Sequence, residues 1–382
     1  MQMLELAENY GPLSVHWFDG IGPASAQKWK GTPKRVATLL RKKHPHIMLN
    51  PRGGFPGDFK TTEKRVGAFN RDQPWETCAT ITTAGWIYRD EEIVVRPFRE
   101  LLEQLIYSIG RDGNYLLNIG PRADGTIDPK HAERLLEIGG WLKENGEAVY
   151  GTRGGPYTAA PWGASTCKDK TFYAFITDPS IGELSLPPID TKVQGVRMLA
   201  GGKARFKQDS DGIHLSISKE QNRKAATVIA IAIDLPALEL PLVAGQISLA
   251  LNKTVTASST LKEDEEEYGP VKAIDSDPNS YWEADQSEKE CWIEIDLGQP
   301  KWVGHAMLAQ SSEWCPLNSF EILYKKDGQW VSAIKRVGKA PGDPAVLSFT
   351  PFQSRYVKVL FSKRAVRLNL CDLQLFAPHT QK

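Results

Sequence analysis

Helical periodicity runs through the first part of this 382-residue chain and stops at about Gly154. That break constrains the fold more than any other feature. It admits an α/β region followed by all-β regions, and it excludes a single uniform architecture. Before the break, strand-like runs alternate with helix-like ones. Thr32-Pro33 opens a helix over 32–43, since proline is pre-set for the first helical position. HIMLN (46–50) reads as a strand, a polar loop fills 55–73, and WETCATI (75–81) is a strand again. Leu101, Leu102, Leu105, Ile106 and Ile109 give a helix over 95–109 its apolar face. YLLNI (115–119) is a fourth strand, and a helix over 128–145 opens at Asp128-Pro129 and closes at Gly146. With SVHWFDG (14–20) these segments make a small open sheet or part of a barrel. A closed eight-stranded α/β barrel takes about 250 residues.

Beyond the break, TFYAFIT, GVRMLA, GIHLSIS and ATVIAIAIDL alternate at period two, which predicts an antiparallel β-sandwich over 165–240. Residues 236–250 read as a linker. Residues 252–378 are all β again, in WIEIDLG, HAMLAQ, SFEILYK, GQWVSA, SRYVKVLF and LCDLQLF. The acidic run EDEEE (263–267) reads as a solvated loop.

Composition narrows the function classes. Lys plus Arg number 47 and Asp plus Glu 46, so a net charge of +1 offers no electrostatic footprint for nucleic acid or an anionic membrane. No apolar run approaches the roughly 20 residues of a membrane span. MQMLELAENYGPLSV lacks the basic flank and apolar core of a signal peptide. The compartment is therefore not specified, although a full-length relative of such a chain is expected to be secreted or periplasmic. Five scattered cysteines form no CxxC or Cys/His zinc pattern, and Cys291 with Cys315 is the one pair considered, against free buried thiols. Eleven tryptophans are many for this length, and their rings suit the apolar face of a sugar as well as a core.

The chemistry is expected at strand tips, where α/β folds keep it. SVHWFDG ends a short apolar strand in Asp19 and Gly20. Arg52 is read at the tip of the second strand and Glu76 at the tip of the third, and Asn118 marks a fourth. Two carboxylates with an arginine between them are the minimum kit for glycoside hydrolysis. Trp17, Trp75 and Trp86 are candidate walls for the sugar. The competing reading makes Asp19 a helix cap and pairs Glu76 with Arg52 or Arg89 in a structural ion pair.

The runs PWETCATITTAGWIYRD (74–90), GRDGNYLLNIGPRADGTIDP (110–129) and GGWLKENGEAVYGTR (139–153) resemble the α-L-fucosidase family of retaining glycoside hydrolases. The resemblance extends over about residues 11–157. It implies that Asp19 is the nucleophile and Glu76 the acid/base, with Arg52, Trp17 and Trp86 in the fucose pocket. It implies no cofactor for catalysis. It also implies a catalytic segment at 1–155 belonging to a (β/α)8 barrel, followed by a fucosidase-type β-sandwich at 156–245. The family's barrel has three strands ahead of the nucleophile strand, bearing histidines that grip fucose. About twelve residues precede that strand here, and none of the seven histidines lies in such a motif. A partial barrel exposes sheet edges. The expectation is therefore a homo-oligomer, association with a missing N-terminal fragment, or a rearranged segment.

TASST (256–260), KAIDSDPNSYWEA (272–284), CWIEIDLGQP (291–300) and the closing YVKVLF and LCDLQLF resemble the discoidin-like F5/8 type C β-sandwich, used as a carbohydrate-binding module. That resemblance assigns residues 246–382 and implies a structural calcium on Asp275, Asp277, Ser280 and Asp372, whose oxygen donors suit the ion. A plain Asx turn is the alternative for Asp275 and Asp277. Trp302 and Trp314 are either sugar platforms or packing groups. Together the two resemblances imply an exo-glycosidase acting on fucosylated glycans. The alternatives are an inactive or binding-only protein in which the C-terminal module works, and an enzyme that completes its barrel across subunits.

Overall fold

The structure is a computed structural model that describes residues 2–20, 32–83, 85–89, 94–217, 226–277, 280–285, 287, 290–310, 317, 319–337, 344–361 and 367–379. Cys315 and Trp314 lie outside these residues. No helix among them is long and apolar enough to cross a membrane.

The first region is α/β. Helices α1 (Gln2–Asn9) and α2 (Thr32–Lys43) flank strands β1 (Val15–His16) and β2 (Met48–Leu49), which pair in parallel. Ala7, Val36, Ala37 and Leu40 close over Phe18, Ile47 and Leu49. Burying a phenylalanine side chain as Phe18 is buried contributes about 1.5–3 kcal/mol. Both strands are shorter than the apolar runs that predict them. The ladder stops because the Asn50 side chain, not a backbone partner, receives Phe18.

Strands β3 (Lys60–Glu63), β4 (Trp75–Thr80) and β5 (Asn114–Asn118) form a second parallel sheet in that order. Helix α3 (Phe98–Gly110) follows β4, and α4 (Pro129–Asn145) follows β5. The side chain of Asp128 caps α4 by accepting from Lys130 N at 2.8 Å. β3 lies inside the stretch expected to be loop: KTTE carries no apolar residue, so the alternation rule does not detect it.

The second region holds β6 (Arg153–Gly154), β7 (Gly163–Lys168), β8 (Thr171–Ile176), β9 (Glu183–Leu186), β10 (Val193–Met198), β11 (Ala204–Asp209), β12 (Gly212–Ile217) and β13 (Thr227–Ile233). They form an antiparallel sheet in the order β10-β13-β8-β7-β6 and a second in the order β11-β12-β9. Phe172, Ile176, Ile229 and Ile231 of the first sheet share a core with Leu184, Leu186, Ile213 and Leu215 of the second. The 236–250 linker is tied down at its middle and at its C-terminal end. Val243 N donates to Pro156 O at 2.9 Å and Leu249 N to Leu375 O at 2.7 Å.

The third region contains β14 (Thr254–Ala257), α5 (Glu265–Tyr268), β15 (Trp282–Glu283), β16 (Cys291–Ala309), β17 (Phe320–Lys326), β18 (Gln329–Lys335), β19 (Ala345–Phe361), β20 (Asn369–Leu370) and β21 (Asp372–Phe376). Its main sheet runs β14-β16-β19-β17-β18, with β21 also on β16, and β15 pairs β20. WIEIDLG and HAMLAQ belong to the one long strand β16, whose register on β19 shifts twice. The acidic run is not loop throughout. It forms the single-turn helix α5, in which Asp264 caps Glu267 N at 2.9 Å and Glu265 takes the Thr260 hydroxyl at 2.7 Å.

The three regions are packed together. One apolar cluster combines Trp75, Tyr107 and Trp141 with Phe175 and Val228 and with Met307 and Phe376. Trp75 is thereby corrected from a candidate sugar wall to a core residue, 3% exposed. Alternation along β4 puts Trp75 and Glu76 on opposite faces. Gly67 and Gly113 let the backbone lie against its ring, since a Cβ at Gly113 would sit 2.4 Å from the indole.

Candidate active site

Asp19 is positioned by the residue before it. Phe18 N donates to Asn50 Oδ1 at 2.7 Å, and Asn50 Nδ2 donates to Phe18 O at 2.9 Å. Asn50 is fully buried, so this two-point clamp works where water does not compete. Phe18 stacks edge-on against Phe55, ring centroids 5.3 Å apart. Past the clamp Gly20 turns the chain at φ +69°. Asp19 projects outward with its side chain 71% exposed.

Arg52 arrives on a tight turn. Residues Pro51–Gly53 form one 3-10 turn, which Gly54 ends in the left-handed region at φ 73°. Gly57 lies so close to the Leu49–Pro51 backbone that a Cβ there would stand 2.6 Å from Asn50 C. The loop folds back, Asp58 Oδ2 accepts from Leu49 N at 2.7 Å, and Asp58 pairs with Arg41. The guanidinium of Arg52 then reaches three groups. Its Nη1 donates to Asp19 Oδ1 at 3.2 Å and to Glu63 Oε2 at 2.7 Å, and its Nε donates to Thr61 Oγ1 at 3.2 Å.

Trp17 joins the two carboxylates. The Arg52 guanidinium stacks on its ring, 4.5 Å from the centroid. Its Nε1–H donates to Glu76 Oε1 at 3.1 Å. Asp19, Arg52, Trp17 and Glu76 thus form one contiguous chain of contacts across β1, the turn after β2, and β4. The structural ion pair between Arg52 and Glu76 does not form, because Arg52 turns to Asp19 and Glu63. Burial pushes the Glu76 carboxyl above the ordinary glutamate value, and the Trp17 hydrogen bond opposes part of the rise. An exposed carboxylate held by arginine, linked through Trp17 to a half-buried one biased toward protonation, has the chemistry that a nucleophile and acid pair needs.

Trp86 takes no part in this chain of contacts. Its carbonyl accepts from Asn118 Nδ2 at 2.8 Å, and Lys64 Nζ lies 5.4 Å from its ring centroid. Glu63, Thr61 and Lys64 are the residues that sequence reasoning missed, all on β3 or directly after it. The β-branched Thr61-Thr62 pair is the one local sign of that strand.

In the third region Ser280 Oγ donates to Asp275 Oδ2 at 2.8 Å, and Asp277 N donates to Asp275 Oδ1 at 2.9 Å. This is an Asx turn, as one sequence reading has it. Asp372 on β21 is different: its Oδ1 is buried without a hydrogen-bond partner, and burial with the nearby Asp275 charge pushes its carboxyl up to about 7. Trp302 is 47% exposed, so its ring is not core.

Residues 1–147 match the family described as Alpha-L-fucosidase, and residues 254–372 match the F5/8 type C domain. The plasma alpha-L-fucosidase of Homo sapiens is 34% identical over 203 residues, 48% of this chain and 43% of its own length. The tissue alpha-L-fucosidase of Homo sapiens is 31% identical over 238 residues, 56% of this chain and 50% of its own length. The chain therefore spans no more than half of these curated relatives. Among solved structures, alpha-L-fucosidase isoenzyme 1 from Paenibacillus thiaminolyticus superposes with a TM-score of 0.55 at 28% identity, covering 61% of each chain. An alpha-L-fucosidase from Vibrio sp. strain EJY3 shares the fold over 99% of this chain and 69% of its own, with a TM-score of 0.61 at 21% identity. The α/β segment of the chain is thus similar to the alpha-L-fucosidases, and it is joined through a second β region to a segment that matches the F5/8 type C domain.

Proposed function

We propose that the chain is the catalytic part of a retaining exo-glycosidase that hydrolyses α-L-fucosides. The observation that carries this reading is the contact chain Asp19–Arg52–Trp17–Glu76, which gathers both carboxylates and the arginine of the family pattern. Asp19 attacks the anomeric carbon and the glycosidic bond breaks, as Glu76 gives its proton to the departing oxygen. Glu76 then takes a proton from water, the water oxygen displaces Asp19, and fucose leaves with its configuration retained. Arg52 holds Asp19 by its hydrogen bond and Trp17 keeps Glu76 in place, while Trp86 borders the sugar. The test is Asp19→Gly. It abolishes hydrolysis of a nitrophenyl fucoside, and azide restores release of the nitrophenol by occupying the vacated position. Wild-type turnover in Asp19→Gly would overturn the assignment.

The same reading makes 1–155 part of a (β/α)8 barrel and 156–245 and 246–382 two β-sandwich domains. Val15 and Leu116, 51% and 42% exposed on β1 and β5, are the apolar groups that further barrel strands would cover, whether from the same protein or a second copy. A native mass above one chain supports association; a monomer that turns over substrate opposes it. The F5/8 type C domain holds the enzyme on fucosylated glycans. Asp275, Asp277, Ser280 and Asp372 fit a structural calcium there: all are oxygen donors, and Asp372 Oδ1 is a buried acceptor with nothing to accept from. The ion would supply rigidity to that domain, not chemistry to the glycosidic bond.

A further inference from the structure

Asp178, His305 and His379 meet where the second region abuts the third. Each offers a ligand atom, and these atoms lie within 4.8 Å of one another, the sole such group of three among the described residues. The three are far apart in sequence, and different features bring each one in. Asp178 follows the end of β8 and is braced by Ser180, whose backbone N and Oγ donate to Asp178 Oδ1 at 2.8 and 2.6 Å. His305 sits on β16 and is buried, 7% exposed. Its register partner across the β19 ladder is Ser348. His379 arrives on the tail beyond β21. Gly304 makes room for that tail, since a Cβ there would meet Pro378 Cβ at 2.9 Å, and Gln246 Nε2 holds it by donating to Ala377 O at 3.1 Å.

The hydrogen bonds leave lone pairs where a ligand set needs them. Ser348 Oγ donates to Asp178 Oδ2 at 3.4 Å and lies 3.0 Å from His305 Nδ1. With the serine proton committed to Asp178, Nδ1–H of His305 is the donor to Oγ, and Nε2 keeps its lone pair. The His379 ring lies 4.1 Å from that of His305, centroid to centroid. His379 Nε2 is buried and has no hydrogen-bond partner. Such an atom is uncommon in a folded protein and calls for a partner.

We propose that Asp178, His305 and His379 form a binding site for a zinc-class divalent transition metal that clamps the F5/8 type C domain and the C-terminal tail to the second region. Two imidazoles and one carboxylate are a recurrent three-ligand set for zinc, with water in the fourth position. Ser348 is its outer-shell partner, orienting the His305 ring and one carboxylate oxygen. The site is independent of Asp19 and Glu76 and of the oxygen-donor group around Asp275.

The experiment uses the full chain without an affinity tag, stripped with a chelator and titrated with zinc sulfate against a chromogenic competitor. One zinc binds per chain, and X-ray absorption finds nitrogen and oxygen donors at about 2.0–2.2 Å. Cobalt(II) at the same stoichiometry gives the visible bands of a low-coordinate site. His379→Ala and Asp178→Asn lose the stoichiometric ion, and zinc raises the melting temperature of the wild type but of neither variant. Ser348→Ala, which removes no ligand, weakens binding about 10–100-fold. Circular dichroism of the metal-free chains identifies any variant that fails to fold, and the graded Ser348→Ala loss then carries the test. A wild-type chain that retains no stoichiometric zinc, or folded variants that bind it as tightly as wild type, overturn the proposal.

Discussion

Asn50→Ala isolates the device that aims Asp19. Wild-type Asn50 is fully buried and satisfies both backbone groups of Phe18, accepting at 2.7 Å and donating at 2.9 Å. Alanine leaves one buried N–H and one buried C=O unpaired, at about 1–3 kcal/mol each, or about 2–6 kcal/mol together. Water entering the void left by the amide would bring the loss toward the lower figure. At about 1.4 kcal/mol per tenfold, even about 2 kcal/mol speeds local opening roughly thirtyfold. Hydrogen exchange read by mass spectrometry on a peptide spanning residues 15–20 is the direct assay, and turnover of a nitrophenyl fucoside is the functional one. Exchange rises by that factor or more, and kcat falls because Asp19 loses its fixed approach. Asn50→Asp keeps the acceptor but sets a second oxygen against Phe18 O, so it loses at least as much. Unchanged exchange in Asn50→Ala would refute the argument that this clamp, rather than the β1–β2 ladder, holds the strand tip.

With Glu76 as the proposed acid, activity is expected to fall as pH rises through its raised pKa. Trp17→Phe removes the one hydrogen bond that opposes the rise and moves the alkaline limb of kcat/KM to higher pH, whereas Glu76→Gln removes that limb. Gly113→Ala drives a methyl group to 2.4 Å from the Trp75 indole, an overpacking loss of about 1–3 kcal/mol in denaturant unfolding. Burial pushes the Asp372 carboxyl up to about 7, so the proposed calcium binding should release a proton, weaken as pH falls through that value, and be lost in Asp372→Asn by calorimetry.

Asp19 and Arg52 were legible because each follows a short apolar run, and strand tips are where α/β folds place chemistry; Glu76 was expected at a strand tip too, but it stands second in β4, at the start of that strand. Trp75 was legible in principle: strict alternation along β4 sends it to the face opposite Glu76, and grouping tryptophans by proximity in sequence obscured that. Glu63 was not legible, because KTTE lies in a half-exposed strand with no apolar face to mark it, and its role depends on Arg52 arriving from another loop. The continuity of β16 was hidden by Gly298-Gln299-Pro300, ordinary turn residues that here sit inside a strand with a shifted register. Asn50 sits at the end of a strand run and carries no sign that its amide replaces two rungs of a ladder. The Asp178, His305 and His379 group is a product of packing between regions, with no sequence spacing to reveal it.

The most direct measurement is proton NMR of the 382-residue chain acting on a nitrophenyl α-L-fucoside, read before the sugar mutarotates. The account predicts turnover with α-L-fucose as the first-formed product. No turnover, or the β-anomer appearing first, would contradict it.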